Sequence, residues 1–247
     1  MLTSILSLLS YIVITPILTT PTELYNPNRW QSDRSVQLTK QQNSAIEQLL
    51  STNECEGCNL ENADLQGAKL RGAKLRGANM KNADLSHANL ENADLENTNL
   101  ENANLANSNL RGAELENSYL RSVDLDNANL SNANLEKVNL ESANLEGSSL
   151  RGANLDTAYL RGVNFRDADL QLAILENANL QDANFQRAIL RDAVLDDAYL
   201  GNTNLRNADL RNASLQDANL QGAKLAGTNL RGANLKGVYL PDGTRNE

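Results

Sequence analysis

Aromatic residues make up only 4% of the 247 positions. A compact core of that size ordinarily relies on them, so their scarcity argues against an ordinary globule. Histidine occurs once, as His87. That removes the base which Ser-His-Asp and Cys-His catalysis both need, and His87 itself falls at an outward turn position where it substitutes for Asn. Cysteine occurs twice, as Cys55 and Cys58, and a lone Cys-x-x-Cys cannot complete a four-ligand zinc site. A cationic excess is also missing. The formal net charge of −9 disfavours binding to nucleic-acid phosphate, although charges of both signs make up 21% of the chain and do not look like a disordered acidic tail. Carboxylates recur everywhere, so no environment singles out an acid–base pair. Gly67, Gly72 and Lys74 fall short of a phosphate loop, with no Gly before the Lys and no Ser or Thr after it. No catalytic, cofactor-binding or metal-binding residue is expected, and the chain reads as a non-enzyme.

What is abundant is a period of five. Every residue number divisible by five from Leu60 to Leu240 is large and apolar: Leu throughout, save Met80, Phe165 and Phe185. Two residues before each stands a small one, from Ala63 to Val238. Two residues after each, Gly, Asn or Asp stands in 29 of 36 cases. Those types tolerate φ > 0, which the third position of a type II turn requires. A period of five fits neither a helix nor a simple strand. It predicts a backbone that turns every five residues and coils with Leu and Ala inside.

The runs Ala93-Asp-Leu-Glu-Asn97, Ala88-Asn-Leu-Glu-Asn92 and Ala178-Asn-Leu-Gln-Asp182 resemble the A(D/N)LXX motif of the pentapeptide-repeat family. The resemblance implies an all-β solenoid, a right-handed quadrilateral β-helix with four repeats per coil, hence about nine coils stacked at about 4.8 Å. Stability would then be close to a sum of nearest-neighbour terms, with the two ends weakest.

The organisation follows: 1–22 a signal or leader segment, 23–38 a linker, 39–53 a short capping α-helix, 54–240 the repeats, and 241–247 a C-terminal tail. Thr39 and Gln42 form a capping-box signature. Ala45, Ile46, Leu49 and Leu50 recur at helical spacing from Lys40 to about Ser51, offering an apolar face to the first coil. Pro241-Asp-Gly243 stops the repeat, leaving the last coil open or covered by the tail. Ile5–Leu18 is apolar, the length of a signal-peptide core and too short to span a bilayer. Against it stand the missing N-terminal Lys or Arg and the missing cleavage site, so an export signal and a membrane-surface anchor both remain. In register, Cys55 and Cys58 both point inward, as a disulfide, two buried thiols or a redox pair. The short helix, the Cys-x-x-Cys pair and the Leu240-Pro-Asp-Gly-Thr244 ending resemble exported members from cyanobacteria and the thylakoid lumen. That resemblance implies a periplasmic or lumenal location.

With twenty residues per coil, positions twenty apart stack, so the outer surface is legible as columns. One reads Glu96, Glu116, Glu136, Asp156, Glu176, Asp196; another carries Arg111, Arg151, Arg191, Arg211 and Arg231. They are expected to form a solvated surface in which the arginines offset part of the carboxylate repulsion; the alternative is a stripe for cations or a basic partner. Tyr119, Tyr159, Tyr199 and Tyr239 share a column with Asn139, Asn179 and Asn219 between them, either by duplication of a two-coil unit or as an aromatic binding strip. Leu172, Ile174, Ile189 and Val194 stand where polar residues are usual, a candidate patch for self-association or a partner. The expected role is a scaffold or protein-binding rod for an unknown protein or a second copy of the chain, with no nucleic acid and no stable membrane span. The alternative, from the resemblance, is a DNA mimic acting on gyrase.

Overall fold

The computed structural model describes the backbone of residues 27–247 and the side chains of residues 40–247. The expected leader, 1–22, and the first residues of the expected linker lie outside the described residues. The first element, α1, spans Pro27–Thr52. The expected linker is therefore helical from Pro27 on, and the Thr39–Gln42 pair lies inside the helix instead of opening it. Proline is well suited to a first helical position, where its missing N–H costs nothing, and no Gly or further Pro follows before Thr52 to break the turn.

From Lys40 the chain belongs to one compact unit, Lys40–Glu247. Here α1 covers the first coil. Leu49 is fully buried, and Ala45 and Ile46 pack against the same core. Gln42 Nε2 donates to the Glu61 carbonyl. Leu50 does not join them; a step of 100° around the helix turns it outward, and it is 57% exposed. Asn53 ends the helix in the left-handed region, φ 62°, with its N–H on the Leu49 carbonyl at 2.8 Å.

Beyond Glu54 the repeat governs everything. Each five-residue step closes with a turn such as Ala63 N to Leu60 O, 3.0 Å. Every third turn position from Asn62 to Gly237 has φ > 0, including His87, Ser122, Lys137, Ser142, Thr157, Leu172 and Arg187. Residues that would avoid this region are held there by the coils above and below. From Glu54↔Lys74 to Asn219↔Tyr239 the parallel bridges join residues twenty apart, which makes four turns per coil and a four-sided section. The stacked leucines, with Met80, Phe165 and Phe185, are fully buried from Leu70 to Leu215. Each removes enough apolar surface from water for about 1.5–3 kcal/mol. Where Ser or Thr takes the small inner position its hydroxyl donates to a backbone carbonyl, of its own turn as in Thr98 Oγ1 to Leu95 O, 2.7 Å, or of the coil before as in Ser118 Oγ to Leu95 O, 2.6 Å.

The residue before each leucine adds a second lattice. The Asn164 side-chain oxygen accepts the Arg166 N–H at 3.3 Å and the Asn184 amide at 3.1 Å, while its own amide donates to Asn144 at 3.0 Å. An Asn placed in this way pins its own corner and ties neighbouring coils together.

At the C-terminal end the tail folds back. Tyr239 and Arg245 form an antiparallel bridge, Asn246 N donates to Val238 O at 2.8 Å, and Gly237 N donates to Asn246 O at 2.7 Å. Arg245 pairs with Asp217 at 2.7 Å. The tail covers this side of the last coil, while Leu225, Leu230 and Leu235 stay partly exposed.

Candidate interaction surfaces

The four faces meet at four corners, and the outward side chains fall into vertical files. The acidic file runs along one corner and the arginine file along another, one side of the square apart. The arginines do not offset the acidic file. Arg191 and Arg211 both pair with Asp209, at 2.6 and 2.9 Å, and Arg151 pairs with Asp169 at 3.2 Å. One side of the square separates the two corners, so Arg151, Arg191 and Arg211 find a nearer carboxylate on the face just before them, while Arg111 pairs with Glu91 of its own file at 3.9 Å. Hydrogen bonds from Arg211 and Arg191, against the opposing cost of burial, hold the Asp209 carboxyl far below the usual carboxylate range. Along the acidic file, Arg76 pairs with Glu96 and Lys137 with Glu136 and Glu116. Asp156, Glu176 and Asp196 have no cationic partner among the described residues. Those residues also contain no cluster of His, Cys, Asp and Glu able to hold a metal ion.

The tyrosine file is as aligned. Asn99, Tyr119, Asn139, Tyr159, Asn179 and Tyr199 are bridged in succession, as are Asn219 and Tyr239, and the rings are 60, 54, 44 and 42% exposed in chain order. Between Tyr119 and Tyr159 lies a recess of about 320 Å³, walled by both rings and lined by Asn139 and Lys137. Lys137 in this recess was not singled out from the sequence, where it reads only as a cation at a turn. A second recess, of about 460 Å³, follows the arginine file between Gln171 and Arg231.

Leu172, Ile174 and Ile189 are exposed and Val194 is half-buried. Ile174 and Val194 are bridged on successive coils. Ile189 lies on the adjoining face and Leu172 on the corner between them, so the four wrap one corner. Leu172 holds φ 63° there, a conformation that a bulky residue adopts only under constraint.

At the other end, the structure joins Cys55 Sγ to Cys58 Sγ, with Cα atoms 5.3 Å apart. Cys55 is fully buried, but Cys58 is only partly so. The expectation that both point into a closed core is corrected at Cys58, because this first coil has no coil beneath it. His87 stands at a turn with φ 58°, as an Asn would.

A solenoid of five-residue steps around a leucine shaft defines a repeat scaffold. Residues 58–97, 83–121, 98–136 and 139–177 match the family model for pentapeptide repeats (8 copies), and 168–243 match that for a pentapeptide repeat region. The chain belongs to the pentapeptide-repeat family. It is similar to HetL, a pentapeptide repeat protein involved in heterocyst differentiation regulation from the cyanobacterium Nostoc sp. strain PCC 7120. That crystal structure is 30% identical, covers 81% of this chain and 97% of its own, and has a TM-score of 0.61. Trypsin-treated QnrB1, a plasmid-mediated fluoroquinolone resistance protein, is 18% identical over 62% of this chain and 77% of its own. Its TM-score of 0.52 is a likeness of fold alone. A pentapeptide repeat protein of the Arabidopsis thaliana thylakoid lumen is 30% identical over 49% of this chain and 71% of its own, with a TM-score of 0.19. No curated protein matches the chain. Among the described residues no helix is long and apolar enough to cross a membrane.

Proposed function

We propose that the chain is a non-enzymatic scaffold, a right-handed β-helix of about nine coils whose outer files bind another protein. One observation carries this reading. Along the repeats, the exposed large apolar and aromatic groups gather in two places, the tyrosine file and the Leu172–Ile174–Ile189–Val194 corner; Leu50, also exposed, lies on α1. Groups of this kind cost free energy in water unless something covers them. A photo-crosslinking residue placed at Ile174, and separately at Tyr159, in the source cell tests the reading. Specific protein adducts from either position are expected, and absence of adducts from both overturns it.

We also propose export, to a periplasm or thylakoid lumen, with Cys55–Cys58 persisting there as a structural disulfide. The apolar run Ile5–Leu18 supports a leader. Fractionation with N-terminal sequencing of the mature protein checks this; a cytosolic chain that begins at Met1 sinks it. The second reading, DNA mimicry at gyrase, draws support from Asp156, Glu176 and Asp196, which have no cationic partner among the described residues. Inhibition in a supercoiling assay by the purified protein would put it first.

A further inference from the structure

The tyrosine file has a spacing that selects its ligand. Coils stack about 4.8 Å apart, so tyrosines on alternate coils stand about 9.6 Å apart. The backbone of this face is already spent. Tyr119 N donates to Thr98 O at 2.9 Å, Asn139 N to Ser118 O at 2.9 Å and Tyr159 N to Val138 O at 2.9 Å, while their carbonyls accept from Leu100, Leu120 and Leu140. An added β-strand has nothing to pair with, and its two-residue repeat of about 6.8 Å misses the tyrosines. Two turns of α-helix, about 10.8 Å, overshoot by more than 1 Å per step. A polyproline II chain repeats every three residues, at about 9.3 Å, and stays within about 0.6 Å over the two steps from Tyr119 to Tyr199.

The chemistry between the rings agrees. In the neighbouring file each Asn amide is consumed by the coil before it, as in Asn144 Nδ2 to Asp124 Oδ1 at 3.0 Å. Tyrosine interrupts that ladder. Asn139 and Asn179 still accept from Glu141 N and Gln181 N, at 3.0 and 3.2 Å, but their Nδ2 groups have no acceptor among the described residues. They are free donors between aromatic walls, and a polyproline II backbone carries carbonyls with no internal partner. At the adjoining corner run Asp156, Glu176 and Asp196, carboxylates without a cationic partner among the described residues, and the cation that lines the recess, Lys137, is itself paired with Glu136 and Glu116. The molecule supplies its own precedent: an extended segment brings the Arg245 guanidinium over the Tyr239 ring, 5.5 Å from its centroid.

We infer that Tyr119, Asn139, Tyr159, Asn179 and Tyr199 form a docking strip for a proline-rich, arginine-bearing segment of a partner protein in the polyproline II conformation. This rests on the protein-binding reading and names its ligand class. The test titrates the full chain with a fluorescein-labelled (Pro-Pro-Arg)₄ peptide and with (Gly-Ser-Arg)₄, which has the same charge and no polyproline II bias. The proline peptide is expected to bind at least tenfold more tightly. Tyr159→Ala is expected to weaken it tenfold or more and Asn139→Ala several-fold. Arg206→Ala, at the opposite corner, is expected to change nothing, and far-UV circular dichroism verifies that each variant retains its fold. Equal binding of both peptides, no binding of either, or an unaffected Tyr159→Ala overturns the strip. So does cellohexaose binding more tightly than the peptide and failing on Tyr159→Ala, which would assign the file to a β-linked glycan. Crosslinks from Ile174 that persist after such a result would leave the scaffold reading standing while the strip falls.

Discussion

Phe165 and Phe185 stack inside the shaft, twenty residues apart in sequence, with ring centroids 4.9 Å apart and planes 13° from parallel. The coil spacing alone brings two consecutive phenylalanines of one file to stacking distance. Both are fully buried. Phe165→Ala should cost about 3–5 kcal/mol in urea unfolding, because the coils above and below keep the wall from collapsing into the void. Phe165→Leu, which restores the rule of its file, should cost less than about 1.5 kcal/mol. Equal losses for the two would mean that the site tolerates an empty volume.

The Asn164 side chain makes four hydrogen bonds, three of them to other coils: to Asn144, Glu146 and Asn184. Asn164→Ala leaves the Arg166 N–H and the Asn184 amide without their acceptor, and a loss of about 1–3 kcal/mol is expected. Asn164→Asp retains the acceptor and should lose less. A ranking of Asp below Ala in thermal unfolding would contradict the ladder.

Leu172 occupies a left-handed corner with its side chain more than half exposed. The backbone there costs about 1–2 kcal/mol for an ordinary residue, and Asn tolerates it. Leu172→Asn should therefore stabilise the isolated protein by about 1 kcal/mol while weakening any partner bound at this corner. Destabilisation in the isolated chain would show that the Leu side chain contributes intramolecular packing.

Asp209 gives a pH signature. Its carboxyl is held below the usual range by Arg211 and Arg191, so it binds its proton less readily folded than unfolded. Its contribution is complete above the unfolded value of about 3.9, and it is lost as pH falls through the lower folded value. The arginines are over a third exposed, so solvent screening limits the effect to about 1 kcal/mol. Asp209→Asn should be less stable than wild type at pH 7, with the gap narrowing below about pH 4. A gap of constant size down to pH 2 would refute the assignment.

Most of the architecture was legible before any coordinates, because one short rule repeats without a slip. A five-residue step with Leu inward and a φ-tolerant residue at the corner leaves little conformational choice, and twenty-residue stacking turns the sequence into files. The alternation of Tyr with Asn and the exposed Ile174 were readable for that reason. What the rule does not specify had to come from the fold. Pro27 starts the helix, although a capping pair further on looked like the beginning. Leu50 turns away from the coil that Leu49 covers. Asp209 draws two arginines that were expected to serve the acidic file. Side-chain pairing depends on reach across a corner, and reach is a property of three dimensions. The amides of Asn139 and Asn179 are free only because the coil on either side of them carries a ring instead of an acceptor. Sequence determined which residues share a file; contact between files was decided by the geometry of the square.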